Sequence, residues 1–424
     1  MTPSYRPYLG GSVLVVVAAA MFALGVGLSR AFFATSGDEV APMEVQQSPP
    51  TPSASPVPTP LILQMPLSVK VGQLIMAGFA GTTSEGVAEL IARYHLGNVV
   101  LVGANIGSPA DVLALTTELQ HQAADENGEG LLIAIDQEGG RVKRLPPPWV
   151  QFPPAREIGC IGAQEFARRA GEVVGDELLA VGINVDLAPV ADVVDNPANT
   201  VIGDRAFGTT PDAVTAMLPA YVGGLAASGV ASTAKHFPGH GSTTGDSHDG
   251  PVVLEKSREQ LETTQLAPFR PIAKMADLFM MANVDVPALD DSGVPAGLSS
   301  ATVRFLRDAV GFHGVVITDS LAMGAIQERW STGQAAVMAL AAGVDIVLTS
   351  SGADVGLIHD EIMSALRDGR LSESRVDEAL GRVIALKRRL IKEELPPIAE
   401  VGSSEHQAFV GYLQLAAERA GCAF

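Results

Sequence analysis

From Leu9 to Leu28 twenty residues follow one another without a charge, enough for a helix to cross roughly 30 Å of hydrocarbon. The wider stretch 9–33, after a short tail at 1–8, is expected to be a transmembrane helix or signal anchor. A cleavable signal peptide is the alternative, although its apolar region is usually shorter and Ala34-Thr35-Ser36 is a marginal cleavage site. No Cys follows the run, which excludes a lipoprotein anchor. Arg6 and the terminal amine, set against Asp38, Glu39 and Glu44, favour a cytoplasmic N-terminus, with Arg30 counting the other way. Residues 34–65 contain PPTPSASPVPTP, which cannot bury apolar surface and reads as a polyproline-like spacer.

From 66 to 398 the pattern becomes regular. Eight short apolar runs alternate with segments of helical periodicity: 72–79, 97–103, 131–137, 183–190, 230–237, 278–284, 314–320 and 345–351. Most read as strands buried on both faces, and 163–180 and 375–392 read as helices. Alternation of this kind predicts parallel strands with right-handed crossovers, an α/β fold. Eight units in some 300 residues suit a closed (β/α)8 TIM-like barrel as a single catalytic domain. An open doubly wound sheet is the alternative, because periodicity does not register closure. Residues 399–424 read as a helical tail. Several runs end in polar residues: Asp136-Gln137, Lys235-His236, Asn283 and Asp319-Ser320. In a barrel the strand C-termini share one mouth, so these side chains are expected to meet there.

Composition narrows the partners. The net charge of −19 repels phosphate backbones, so nucleic acid is not an expected partner. The two cysteines, Cys160 and Cys422, match no metal-ligand spacing; a single long-range bridge and two free thiols are both open, and the thiols are the expectation.

The densest chemistry lies in KHFPGHGSTTGDSHDG, 235–250. His236, His240, Asp246 and His248 are plausible ligand types, but their spacing fits no zinc pattern and no metal is expected. Asp246 and His248 are two apart, so in an extended segment they share a side. A carboxylate there fixes the imidazole tautomer and raises its basicity, which suits a proton shuttle. Asp319, ending VVITDS, is a candidate nucleophile, or else caps the helix that follows. In DQEGGRVKR, Asp136 is a hydroxyl acceptor and Arg141 or Arg144 a donor. Arg205 in GDRAFG, Lys235 and His236 complete a ring fit for a sugar.

At these residues the chain resembles glycoside hydrolase family 3, in its β-N-acetylhexosaminidase branch. DQEGGRVKR, GINVDLAPVADV, GDRAFG, KHFPGHGSTTGDSHDG, VPALDDSGVPAGLS, GFHGVVITDSLAMGAI and AAGVDIVLTSS carry the likeness, from about 72 to 392. The resemblance implies a retaining mechanism in which Asp319 forms the glycosyl-enzyme and His248, paired with Asp246, is the acid/base. It also implies that Asp136, Arg144, Arg205, Lys235 and His236 bind the sugar, and that the substrate is β-linked N-acetylglucosamine of cell-wall type. Many relatives carry His where this chain has Asn283, which puts one polar contact in doubt. Some continue into a second domain from a helix like the one ending this chain; the β-glucosidase branch, which commonly draws its acid/base from that domain, is disfavoured.

A membrane-tethered, extracytoplasmic hexosaminidase that needs no cofactor and acts as a monomer on carbohydrate is therefore expected. A phosphorylase with the same site and an inactive wall-binding module are the alternatives.

Overall fold

The computed structural model describes residues 60–422. The eight apolar runs are eight strands: β1 (Ile75–Gly78), β2 (Asn98–Leu101), β3 (Leu132–Ile135), β4 (Val185–Asp186), β5 (Ala231–Phe237), β6 (Leu278–Met281), β7 (Val315–Thr318) and β8 (Val347–Thr349). All their residues are buried, which is why the runs show no alternation of polar and apolar positions. Every pairing is parallel, in the order β7-β6-β5-β4-β3-β2-β1-β8. The two ends of that order are linked by a parallel bridge between Ile317 and Ile346, where the Thr318 N–H donates to the Ile346 carbonyl at 3.0 Å. The result is a near-closed barrel, consistent with the (β/α)8 expectation.

The predicted helices form at Gln164–Leu179 and Glu373–Leu390, each within two residues of its expected ends. Short polar side chains start many of the helices: Ser372 accepts the Arg375 N–H and Ser403 the His406 N–H. Pro60–Gln64, the last residues of the Pro-rich stretch, form a helical turn whose Ile62 is buried. No helix among the described residues is long and apolar enough to cross a membrane. The stretch 9–33, where a span is expected, lies outside the described residues, as do most of the spacer and the tail at 1–8.

The N-terminal ends of the strands carry stability rather than chemistry. Buried Asp345 receives Arg375 and Arg382 on Oδ1, at 2.7 and 2.9 Å, and Arg307 on Oδ2 at 2.6 Å. Close by, Lys387 is fully buried and gives its ammonium only a neutral partner, Gln73 Oε1 at 2.5 Å. Burial pushes its pKa down to about 7 from 10.5, against a weak opposing pull from Glu129. The unfolded chain therefore holds a proton that the folded chain lacks between about pH 7 and 10.5. This lysine's penalty is full below that window and disappears as pH rises through it. Lys387→Met is expected to stabilise the fold at pH 7, and its advantage should shrink by about 1.4 kcal/mol per pH unit towards pH 10. Urea unfolding of both proteins at pH 7 and 9 measures this; a constant difference would refute it.

The expectation of free thiols is overturned. Cys160 and Cys422 form a disulfide across 262 residues of sequence, with Cα atoms 5.6 Å apart. Cys160 lies on helix Ala155–Ile161 and Cys422 just beyond helix Ser404–Ala420, and the two helices pack together. Sequence distance says nothing about spatial distance once the C-terminal helix folds back on the barrel. Around it, Phe409 rests on Phe152 and Phe166, and buried His406 sits 3.3 Å from Glu177. Replacing both cysteines by serine is expected to cost about 2–4 kcal/mol, read as a lower denaturation midpoint with secondary structure intact beforehand.

Candidate active site

Asp136 follows β3 and Lys235 lies inside β5, two strands away around the barrel. Lys235 Nζ is 2.8 Å from Asp136 Oδ1 and 2.6 Å from Glu138 Oε1. Arg144 reaches the other Asp136 oxygen at 3.2 Å, and Arg205 grips both oxygens of Glu138 at 2.8 Å. Positive and negative groups therefore alternate. Burial alone would raise the Asp136 carboxyl, but Lys235 and Arg144 outweigh it and hold the pKa at about 2. Glu138 is likewise lowered despite burial, through Lys235 and Arg205. Burial would also neutralise Lys235, yet Asp136 and Glu138 raise its pKa. The network stays charged at any working pH and offers fixed donors and acceptors to hydroxyl groups.

Beneath it, Asp186 ends β4 fully buried, with Oδ1 accepting the Gln137 N–H at 3.0 Å and Oδ2 unpartnered. Burial pushes its carboxyl well above the usual range, helped by Asp136 and Glu138. Both nearby carboxylates thus disfavour a further negative charge at that position.

His236 is fixed by Asp192, whose Oδ2 accepts from Nδ1 at 2.8 Å. Asp192 Oδ1 takes the His240 main-chain N–H at 2.6 Å. Nε2 of His236 is its remaining polar atom.

The Asp246–His248 pair forms, but in a turn rather than the extended segment expected: the Asp249 N–H donates to the Asp246 carbonyl at 3.1 Å. Asp246 Oδ1 receives both the His248 N–H, at 2.9 Å, and the ring Nδ1, at 2.7 Å. Partial burial would raise Asp246, but the His248 main chain and ring hold it below the ordinary carboxylate range. The His248 side chain is 64% exposed, so its Nε2 can exchange protons.

Asp319 follows β7, with its N–H donating to the Met281 carbonyl at 3.1 Å. Its Oδ1 accepts the Ser320 N–H at 2.7 Å. The turn after it meets the histidine loop directly: Gly324 N–H donates to the His248 carbonyl at 3.0 Å and Ala325 N–H to the Ser247 carbonyl at 3.1 Å. A Cβ at Gly324 would lie 2.7 Å from the His248 carbonyl, so only glycine allows this approach. The pair and Asp319 thus stand on touching segments of one rim.

Of the two arginines left open by the sequence, Arg144 faces Asp136. Arg141 pairs with Asp204 and the carbonyls of Thr200, Val201 and Ile202, bracing the segment that leads to Arg205. Asn283 is buried and donates to the Ser320 carbonyl at 2.9 Å, one residue beyond Asp319. Sequence reading passed over Glu138, Asp192 and Asp186. All three lay inside motifs carrying the family likeness, Glu138 in DQEGGRVKR and Asp186 and Asp192 in GINVDLAPVADV, where an acid within or beside an apolar run was the available signal. Among the described residues no cluster is suited to a metal ion. A cleft of about 500 Å³ is lined by Arg156, Val194, Asp195, Pro197, Asn199, Gly203 and Thr209, none of them a residue of the candidate site.

Residues 66–386 match the family model described as the glycosyl hydrolase family 3 N-terminal domain. The chain is 36% identical over 354 residues to "Beta-hexosaminidase LpqI" of Mycobacterium tuberculosis, covering 80% of this chain and 89% of that protein. It is 34% identical over 334 residues to an "Uncharacterized secreted glycosyl hydrolase" of Arthroderma benhamiae, covering 76% of this chain and 94% of that one. Among solved structures, a glycoside hydrolase family 3 β-N-acetylglucosaminidase from Paenibacillus sp. str. FPU-7 superposes with a TM-score of 0.80. That pair is 39% identical over 83% of this chain and 69% of the other.

Proposed function

This chain belongs to glycosyl hydrolase family 3, and on that footing we propose that it is a retaining β-N-acetylhexosaminidase. It removes terminal β-linked N-acetylglucosamine from cell-wall-type glycans. The observation that carries the reading is the main-chain joint between Ser247–His248 and Gly324–Ala325, which sets a proton-carrying pair beside a strand-end carboxylate.

In the first step Asp319 attacks the anomeric carbon and the glycosidic C–O bond breaks. The departing oxygen takes the proton from His248 Nε2, while Asp246 holds Nδ1–H and stabilises the cationic ring. In the second step water gives a proton back to Nε2, its oxygen attacks the anomeric carbon, and the ester to Asp319 breaks. Two inversions return the β-configuration. On giving up its proton the ring becomes a neutral imidazole, where a carboxylic acid would become a second anion. Asp136, Arg144, Arg205, Lys235 and His236 hold the sugar hydroxyls and acetamido group.

The catalytic domain works outside the cytoplasm. The Cys160–Cys422 disulfide belongs to an oxidising compartment; the stretch 9–33 is the anchor, and the spacer ends before the helical turn Pro60–Gln64, whose Ile62 belongs to the core.

Initial rates of the purified full chain on chromogenic β-N-acetylglucosaminide and β-glucoside test the substrate. The acetamido sugar is expected to be turned over with the higher kcat/KM, and a preference for the glucoside would remove the assignment. The rate should be indifferent to added phosphate; an absolute phosphate requirement would make the enzyme a phosphorylase.

A further inference from the structure

The ring of His240 has no part in the chemistry above, yet it is only 2% exposed and lies between β5 and the Asp246–His248 pair. Its Nδ1 lies 2.9 Å from Thr243 Oγ1 and its Nε2 3.2 Å from Ser247 Oγ. The Thr243 hydroxyl gives its one proton to the His240 carbonyl at 2.9 Å. On that assignment Nδ1–H donates to Thr243, and the bare Nε2 accepts from the Ser247 hydroxyl. Burial lowers the His240 pKa against the opposing charge of Asp192, in keeping with a neutral ring. Asp319 is among the charges acting on this ring, and the ring in turn acts on Asp246. His240 therefore lies near the proposed nucleophile and near the carboxylate that holds the proposed acid/base.

Ser247 is itself 2% exposed. Its hydroxyl is held by His240 and its carbonyl by the Ala325 N–H, at 3.1 Å. The next carbonyl, of His248, is held by Gly324. The main chain carrying the exposed His248 ring is thus gripped by a buried side chain and by the turn after Asp319. Asp192 anchors the His240 end of this arrangement through the main-chain N–H, while its other oxygen orients His236. One buried carboxylate so fixes a sugar-facing histidine and the support of the acid/base together.

We infer that His240 is a positioning residue for the acid/base, holding the Ser247–His248 segment at a fixed height beside the Asp319 turn. The inference rests on the assignment of His248 as proton donor. A misplacement of about 1 Å at such a group can cost on the order of 100-fold, so the effect should be visible in kcat.

The test uses the full chain with His240→Leu, His240→Gln and Ser247→Ala. With a poor leaving group, His240→Leu is expected to lower kcat roughly 10- to 100-fold and to change KM much less, because His236, whose ring meets His240 edge-on at 6.0 Å, keeps its Asp192 hydrogen bond. With a dinitrophenyl leaving group, which needs no proton in the first step, the loss in kcat/KM should be much smaller, while kcat, limited there by the second step, should still fall. His240→Gln, whose amide oxygen can accept from Ser247, should recover most of the rate, and Ser247→Ala should lose it. Amide hydrogen exchange across 243–250 and at 324–325 should speed up in His240→Leu while β5 stays protected. Equal losses of kcat/KM on both leaving groups, or unchanged exchange, would overturn the inference. If the wild type prefers a β-glycoside without the acetamido group, the substrate reading fails; the same leaving-group comparison on that glycoside, with the exchange data, still decides the role of His240.

Discussion

Asp319→Ala is expected to reduce kcat/KM on a chromogenic β-N-acetylglucosaminide by on the order of 10⁴-fold or more, with folding and thiol content unchanged. The side chain makes one recorded hydrogen bond, to the neighbouring Ser320 N–H, so its removal leaves no buried partner stranded. Its loss is then a loss of chemistry rather than of fold. Without a nucleophile the anomeric carbon has no protein group to take the developing positive charge, and no ester can form. Added azide should restore part of the rate and give a product of α-configuration, since the small anion attacks from the face the carboxylate has vacated. In the wild type, a slow acetamido-sugar inactivator should add its sugar mass to the peptide containing Asp319. Undiminished activity in the alanine variant would dispose of the nucleophile and of the mechanism with it.

The second large effect is expected at His248. Its ring is exposed and held by one carboxylate, so His248→Ala disturbs little besides proton transfer. General acid–base catalysis typically supplies 10²- to 10⁴-fold, and a loss in that range is expected for alkyl or sugar leaving groups. The loss should nearly vanish in the first step when the leaving group is a dinitrophenolate. The second step, which needs a base for water, then becomes limiting, and the glycosyl-enzyme on Asp319 should accumulate to detectable mass. Asp246→Asn should move in the same direction by a smaller factor, because the amide keeps a hydrogen-bond partner on Nδ1 but not the negative charge that stabilises the cation. A uniform loss across leaving groups would assign His248 to binding instead.

The stretches legible in advance share one property: their determinants are close in sequence. Parallel strands buried on both faces leave unbroken apolar runs, so all eight could be located, and the polar residues at their ends could be assigned to one end of the barrel. Asp246 and His248 are two residues apart, so their pairing was legible, although a turn rather than an extended segment brings them together. Arg144 and Arg141 differ by three positions in one motif, and nothing local distinguishes them. Only the fold sends one to Asp136 and the other to Asp204.

What this chain's sequence determined by itself is the alternation of strand and helix, the family resemblance carried by its motifs, and the short-range Asp–His pair, because each depends on contacts between near neighbours. Closure through Ile317 and Ile346, the Lys235–Glu138–Arg205 network, the Asp192–His236 bond and the Cys160–Cys422 bridge were decided by the tertiary structure alone. These link residues tens to hundreds of positions apart. Their pairing is set by which strand ends the barrel brings together and by where the last helix folds back, and no periodicity along the chain encodes that geometry.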